Sequence, residues 1–356
     1  MYCLIAALCC LTFVSAQKTD SLRYFPAQIS LVYPVGTNGV QSKNFSYYFS
    51  LNSLIGKVGG LSGMEVSGLC GTVENSAVGF QVAGLSNIVG DGMSGMHIAG
   101  VVNIVGDGMV GMQTAGIINI VGDRMVGMQS AGFANIVGDC AKGAQVSGVA
   151  NVVGDKMKGV QISGVYNCAK TLQGLQIGIL SINDTIESGG SLSLINIVKN
   201  GAYKEWGLSF ADYNNVALSF KMGTPKLYTI YSAGVNIFED HLWVLGIGFG
   251  HRTPIGKKFD FQPECVYNHY FPTDFKNIQY TTATHLKIGF VYRLNEKFGF
   301  SLAPSIYLLN ANKGKHSNSE FYKTSSFCSL YTHNSNRSQT KIGFGISVGL
   351  NINISE

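Results

Sequence analysis

Alternation is the dominant pattern of the chain. Over residues 341–354, Ile342, Phe344, Ile346, Val348, Leu350, Ile352 and Ile354 take every second position, while Gly343, Gly345, Ser347, Gly349, Asn351 and Asn353 fill the gaps. A period of two sends successive side chains to opposite faces of an extended backbone, so this segment is predicted as a strand with one apolar and one small or polar face. Such a division suits lipid outside and a polar lumen inside. Leu286, Ile288, Phe290, Tyr292 and Leu294 alternate in the same way with His285, Lys287, Gly289 and Arg293, and Phe259, Phe261, Tyr267 and Phe271 with Asp260, Gln262, Glu264 and Asn268. About eight such strands are predicted after Gly201, beginning near Trp206, Val216, Leu227, Leu242, Phe259, His285, Phe298 and Lys341. Asn295-Glu296-Lys297 reads as a tight turn, and residues 272–283 and 312–340 read as long connections. Outer-membrane barrels put short turns at one end and long loops, facing outward from the cell, at the other.

Between residue 63 and about residue 170 the alternation is itself periodic. Asp91, Asp107, Asp123, Asp139 and Asp155 are spaced by sixteen residues, as are Asn87, Asn103, Asn119, Asn135, Asn151 and Asn167. The consensus is G-x-Q-x-A/S-G-x-x-N-I-V-G-D. In the unit starting at Gly111, Met112, Thr114, Gly116, Ile118 and Ile120 share one face, and Gln113, Ala115, Ile117, Asn119 and Val121 the other. The parity runs unbroken through Gly116, which predicts one long strand per unit, ended by the Gly-Asp turn signal. Eleven or so strand residues match the roughly 9 to 11 that a tilted membrane strand needs. In an antiparallel arrangement Gln113 and Asn119 of one unit face Asn135 and Gln129 of the next on the inner face, pairing amides that would be costly to leave unpaired.

No Pro-rich, Ser-rich or charged linker separates the repeats from the later strands. The expected fold is therefore all-β, an antiparallel outer-membrane β-barrel of about 16 to 19 strands that includes the sixteen-residue repeats. The alternative is a parallel β-solenoid built from the repeats, followed by a smaller C-terminal barrel. The expected organisation is a signal peptide over 1–16, N-terminal strands over 17–62, the repeat region over 63–200 and barrel strands over 201–356.

The repeats, with the preceding Phe49-Ser50-Leu51-Asn52 and the following Leu194-Ile195-Asn196-Ile197-Val198-Lys199-Asn200-Gly201, resemble the surface-repeat outer-membrane proteins of Bacteroidota and spirochaetes. The resemblance covers nearly the whole mature chain. It implies a Gram-negative envelope location and a β architecture, and brings no biochemical activity with it. One departure is the ending Ile354-Ser355-Glu356, where bacterial outer-membrane barrels commonly carry an aromatic residue.

Composition sharpens this picture. Charged residues make up 13% of the chain and glycine supplies 45 of 356 residues, about half and about twice the globular norm. No window after residue 16 offers 18 consecutive apolar residues, so a bilayer would have to be crossed by strands. Residues 1–16 end in Val14-Ser15-Ala16 after an apolar run and read as a cleaved secretory signal; the large residues before Cys9 and Cys10 argue against a lipid anchor there. Removing the signal leaves Cys70, Cys140, Cys168, Cys265 and Cys328, an odd and scattered set with neither a disulfide framework nor zinc-ligand spacing. The net charge of +5 carries no basic block, which argues against nucleic acid as a partner.

Candidate chemistry is sparse. One carboxylate every sixteen residues does not assemble the six or more oxygens of a calcium site, so the aspartate column reads as turn residues. The run Gly246-Ile247-Gly248-Phe249-Gly250 lies in an alternating strand and reads as its small face, not as a phosphate loop. His97 stands in the glutamine column as a polar substitute, and Glu264 reads as a lumen charge, paired or tuning ion passage. Trp206, Trp243, Tyr228, Tyr231, Tyr267 and Tyr270 are expected in interfacial girdles. No Ser, His and acid trio or cofactor motif appears, so the chain is expected to be non-enzymatic and without cofactor. Its expected role is an outer-membrane surface barrel contacting host or envelope partners through extracellular loops, with Lys315, His316, Tyr322, Lys323 and Tyr331 as candidate partner-binding residues. The alternatives are a passive diffusion pore lined by Gln113, Asn119, Gln129 and Asn135, and a structural or adhesive solenoid. The partners expected are the lipid bilayer and its insertion machinery; no motif identifies a surface ligand.

Overall fold

A computed structural model describes residues 22–212, 215–236, 242–272, 280–312, 328–335 and 338–355. Among these the chain is all-β, without an α-helix, and forms two compact units that divide between Ile179 and Leu180. Of the two architectures the pattern allowed, the chain adopts a parallel solenoid followed by an eight-stranded barrel.

In the first unit every sixteen-residue repeat makes one rung of two strands. Met109–Ala115 and Ile118–Val121 are followed by Met125–Ala131 and Ala134–Val137, and each strand pairs in parallel with its equivalent one repeat away. The chain turns at Gly116-Ile117, so the single long strand expected across that glycine is two strands in separate parallel ladders. A second corner at Gly122-Asp123-Arg124 closes the rung, and the Asp123 amide donates to the Asp107 carbonyl at 3.0 Å. The antiparallel flip that would set glutamine opposite asparagine does not occur: Gln113 pairs with Gln129 and Asn119 with Asn135. Arg23–Val32 and Phe45–Val58 join the same parallel stack at its N-terminal end.

Glycine is required at the start of each rung. Gly95, Gly111 and Gly127 hold φ of +130°, +130° and +132°, and a Cβ on Gly111 would lie 1.9 Å from the Gly95 carbonyl oxygen. An L side chain is excluded there both by the dihedral and by the rung below.

In the second unit residues 180–200 fold back through Gly189, at φ +82°, and bond to the barrel. Lys199 pairs with Asp184 at 2.5 Å, the Asn196 amide donates to Thr229 Oγ1 at 3.0 Å, and Thr229 Oγ1 donates to the Ser193 carbonyl at 2.8 Å. These bonds explain why 180–200, sequence-continuous with the repeats, belongs with the barrel. The barrel consists of β1 Tyr203–Ala211, β2 Val216–Thr224, β3 Leu227–Asn236, β4 Leu242–Gly250, β5 Phe259–Pro272, β6 Tyr280–Arg293, β7 Phe298–Asn312 and β8 Ser338–Asn353. All neighbours are antiparallel, and β1 pairs with β8 (Trp206 with Ile352, Leu208 with Leu350), which closes the sheet.

The outer face carries Trp206, Leu208, Phe210, Leu218, Trp243, Leu245, Leu286, Ile288, Phe290, Phe300, Leu302, Phe344, Ile346 and Leu350, all exposed. On β7 the outward run from Phe298 to Leu308, at about 3.4 Å per residue and a tilt of about 40°, rises roughly 25–28 Å. Inside, an eight-stranded barrel is only wide enough for its own side chains. Leu242, Val244, Tyr270, Ala283, Tyr307, Leu309 and Ala311 fill it toward the end at which β7 finishes and β8 begins.

Candidate functional site

Two polar constellations are buried, one in each unit. The barrel's lies toward the tight-turn end, on the inward parity of β1, β2, β5 and β6. Lys221 Nζ lies 2.6 Å from Glu264 Oε1 and 3.2 Å from Glu205 Oε1, donates to Gln262 Oε1 at 2.8 Å and sits 5.6 Å from the centre of the Tyr228 ring. Asn351 Nδ2 donates to Glu205 Oε1 at 2.6 Å, and the Tyr228 hydroxyl donates to Glu264 Oε1 at 3.0 Å. Beside this group Asp260 takes Arg293 through its Nε in a short contact and Arg252 Nε at 3.1 Å, while Arg252 stacks over the Tyr203 ring at 5.3 Å. Three carboxylates against three cations make the network formally neutral. Each charge is held by its counter-ions, an arrangement that keeps buried ion pairs tolerable.

Glu264 is thus an interior charge bound to Lys221. Gly246, Gly248 and Gly250 lie on the inward parity of β4, where a Cβ on Gly250 would meet the Tyr228 ring at 2.5 Å; they are the small face of a strand. The aromatic expectation needs correction in part. Trp206, Trp243 and Tyr267 point outward and are exposed, but Tyr228 and Tyr270 occupy inward positions and are buried, because their parity on β3 and β5 is that of the lumen.

The second constellation is a pair of amide ladders inside the solenoid. Gln113, Asn119, Gln129 and Asn135 are all 0% exposed. In one column Asn87, Asn103, Asn119, Asn135 and Asn151 each donate through Nδ2 to Oδ1 of the next asparagine, at 2.9–3.1 Å, so the hydrogen bonds run toward the C terminus. In the other, Gln129, Gln145, Gln161 and Gln176 each donate to the previous rung, at 2.7–2.9 Å, so that column runs toward the N terminus. Opposed dipoles in adjacent columns lower the cost of stacking so many amides.

At its N-terminal end the glutamine column has an acceptor for Gln81. Glu65 receives Gln81 Nε2 at 2.6 Å, Asn52 Nδ2 at 2.9 Å and Ser50 Oγ at 3.2 Å. Burial nevertheless raises its carboxyl to about 7, against the lowering effect of those donors. One rung further, His97 interrupts the column. Neither of its ring nitrogens makes a hydrogen bond, and the facing atoms on both sides, Gln81 Oε1 and Gln113 Nε2, are also without partners. Burial lowers the His97 imidazolium to about 4, so the ring is neutral at physiological pH.

The aspartate column lies at the corners. Burial, and then the charge of Asp107, raise the Asp91 carboxyl. Among the described residues no group of three His, Cys, Asp or Glu side chains is placed to hold a metal ion. Tyr331 sits on the exposed strand Cys328–Asn334, paired with β8; Lys315, His316, Tyr322 and Lys323 lie outside the described residues. The barrel network was half visible in sequence: each member stands on a polar parity, but only strand register brings Glu205, Lys221 and Glu264 together. No family model, curated protein or solved structure matches the chain.

Proposed function

We propose that this chain is a non-enzymatic protein of a Gram-negative outer membrane, in which the eight-stranded barrel is a sealed, lipid-embedded anchor and the repeat solenoid is the working surface. One observation carries the reading: the barrel's outer face is apolar over a height near that of a bilayer core, while its lumen is filled by an apolar plug and a neutral ion network. The secretory pattern of residues 1–16 supports export, and delivery by the envelope's insertion machinery follows from it. The packed lumen favours an anchor over a diffusion pore, and the amides expected to line such a pore are inside the solenoid instead.

The test is biochemical and electrical. The mature protein extracted in detergent should run at different positions on a gel with and without heating, and should give no stable conductance in planar bilayers. Free solubility without detergent would overturn the membrane assignment, and a steady single-channel current would overturn the sealed lumen.

A further inference from the structure

The solenoid exposes an unusual amount of apolar surface for a protein in water. Its interior holds the amide ladders between buried columns of Val, Met and Ala, while its outward positions are mostly aliphatic, with Ser94, Lys142 and Lys158 in the column next to the aspartate corner and Thr114 and Ser130 the polar exceptions. On one face the outward column runs Met64, Phe80, Met96, Met112, Met128, and on the other Ile88, Ile104, Ile120, Ile136, Val152. The corner joining these faces is apolar too: Leu69, Leu85, Ile117, Phe133 and Val165 are 39%, 44%, 49%, 53% and 44% exposed, one per rung apart from Val101 and Val149, which are half-buried. At about 4.8 Å per rung this ridge is roughly 30 Å long. The opposite corner carries the acidic column Asp91, Asp107, Asp123, Asp139 and Asp155.

Two aliphatic faces that meet at an aliphatic edge, with charge at the far edge, make an amphipathic wedge. From this we infer that the solenoid lies in the interface of a lipid bilayer, its Ile117–Phe133 edge and flanking faces among the acyl chains and its aspartate edge in water. The occupant is lipid and not a second copy of the chain, because the apolar surface wraps around two faces and the edge between them, whereas a protein partner covers one side. Immersion is feasible for this architecture because the strand amides are satisfied between rungs and the interior amides, apart from the break at His97, within their ladders, all of them away from the lipid-facing surface. An exposed apolar surface of this extent is otherwise a liability. The inference rests on the membrane reading of the barrel and assigns the solenoid its partner.

Depth-dependent quenching tests it on the full chain. The unpaired cysteines Cys70, Cys140, Cys168, Cys265 and Cys328 are replaced, and single cysteines are introduced as Ile117→Cys, Phe133→Cys, Asp123→Cys and, on the barrel, Leu302→Cys. Each variant carries an environment-sensitive fluorophore and is reconstituted into phosphatidylcholine vesicles with or without brominated acyl chains. Labels at 117, 133 and 302 should be quenched severalfold by brominated lipid, and the label at 123 should not. If 302 is quenched but 117 and 133 remain in water, the solenoid inference fails and the barrel reading stands; if 302 also stays in water, the barrel reading fails. Labels at 117 and 133 that are shielded from water yet indifferent to bromine identify a protein-covered edge and overturn lipid as the occupant. A label at Met128→Cys should be quenched in the parent, and the pair Ile117→Asp and Phe133→Asp, with ladder amides still protected from hydrogen exchange, should abolish that quenching; quenching that persists overturns immersion through this edge.

Discussion

At the scale of single residues, the two exceptions in the glutamine column matter most. Glu65 is an acid whose carboxyl is raised to about 7 from an ordinary 4.5. Between those values the folded state holds a proton that the unfolded chain has lost, so its contribution to stability falls as pH rises through the window and is gone above about 7. Glu65→Gln should therefore stabilise the solenoid at pH 8 by up to roughly 3 kcal/mol, less the hydrogen bond from Asn52 that an amide cannot fully accept, with the gain vanishing near pH 4.5. His97 slopes the other way. Its imidazolium is lowered to about 4 from 6.5, so the unfolded chain takes up a proton first, and stability is lost as pH falls from 6.5 to 4. His97→Gln should restore a continuous ladder between Gln81 and Gln113 and remove that acid sensitivity, by roughly 3 kcal/mol at pH 4. Hydrogen exchange of peptides covering residues 63–115, followed at pH 5 and pH 8, checks both substitutions. The position of His97 in a polar inner column was legible from spacing; the orphaned atoms on either side of it were not, because they depend on rung-over-rung stacking.

The element that organises the first unit is the rung. Its length is set by two corners, Gly116-Ile117 and Gly122-Asp123-Arg124, and every rung repeats the same columns. Removing one repeat, residues 111–126, joins Val110 to Gly127 and leaves every column intact, so the protein should still fold and assemble, with an unchanged heat-dependent gel shift. Removing eight residues, 111–118, sets Asn119 in the place of Gly111 and Val121 in the place of Gln113, which crowds the rung below and breaks the glutamine ladder; loss of exchange protection throughout the repeats is the expected outcome. The alternation of the repeat was correctly legible as two faces, with Gln113, Ala115, Asn119 and Val121 inward and Met112, Thr114, Ile118 and Ile120 outward. Ile117 departs from its face because it sits on the corner, 49% exposed. Parity is a property of a strand, and it stops at a bend.

For the whole molecule, the barrel's closure and its interior charges are one feature, since Glu205 is on β1, Lys221 on β2, Glu264 on β5 and Arg293 on β6. Lys221→Met leaves Glu205 and Glu264 buried near each other without their shared cation, which should cost about 3–5 kcal/mol and show as a lowered midpoint for barrel unfolding in urea; adding Glu264→Gln should recover part of it. The eight barrel strands and their outward faces were readable along the chain because a period of two in side-chain polarity is a local signal, although β1, β6 and β8 begin three to five residues earlier than expected, at Tyr203, Tyr280 and Ser338. So was the sorting of each repeat into a polar and an aliphatic face. Neither signal carries the direction in which one strand meets the next, since a period of two is satisfied equally by parallel and antiparallel neighbours. Tertiary structure decided that through the corners: the bend at Gly116 and the crowding at Gly111 let each rung stack on an identical one, where glutamine meets glutamine and asparagine meets asparagine. It likewise decided which lumen charges meet, because strand register, not sequence distance, brings Glu205, Lys221 and Glu264 within bonding reach.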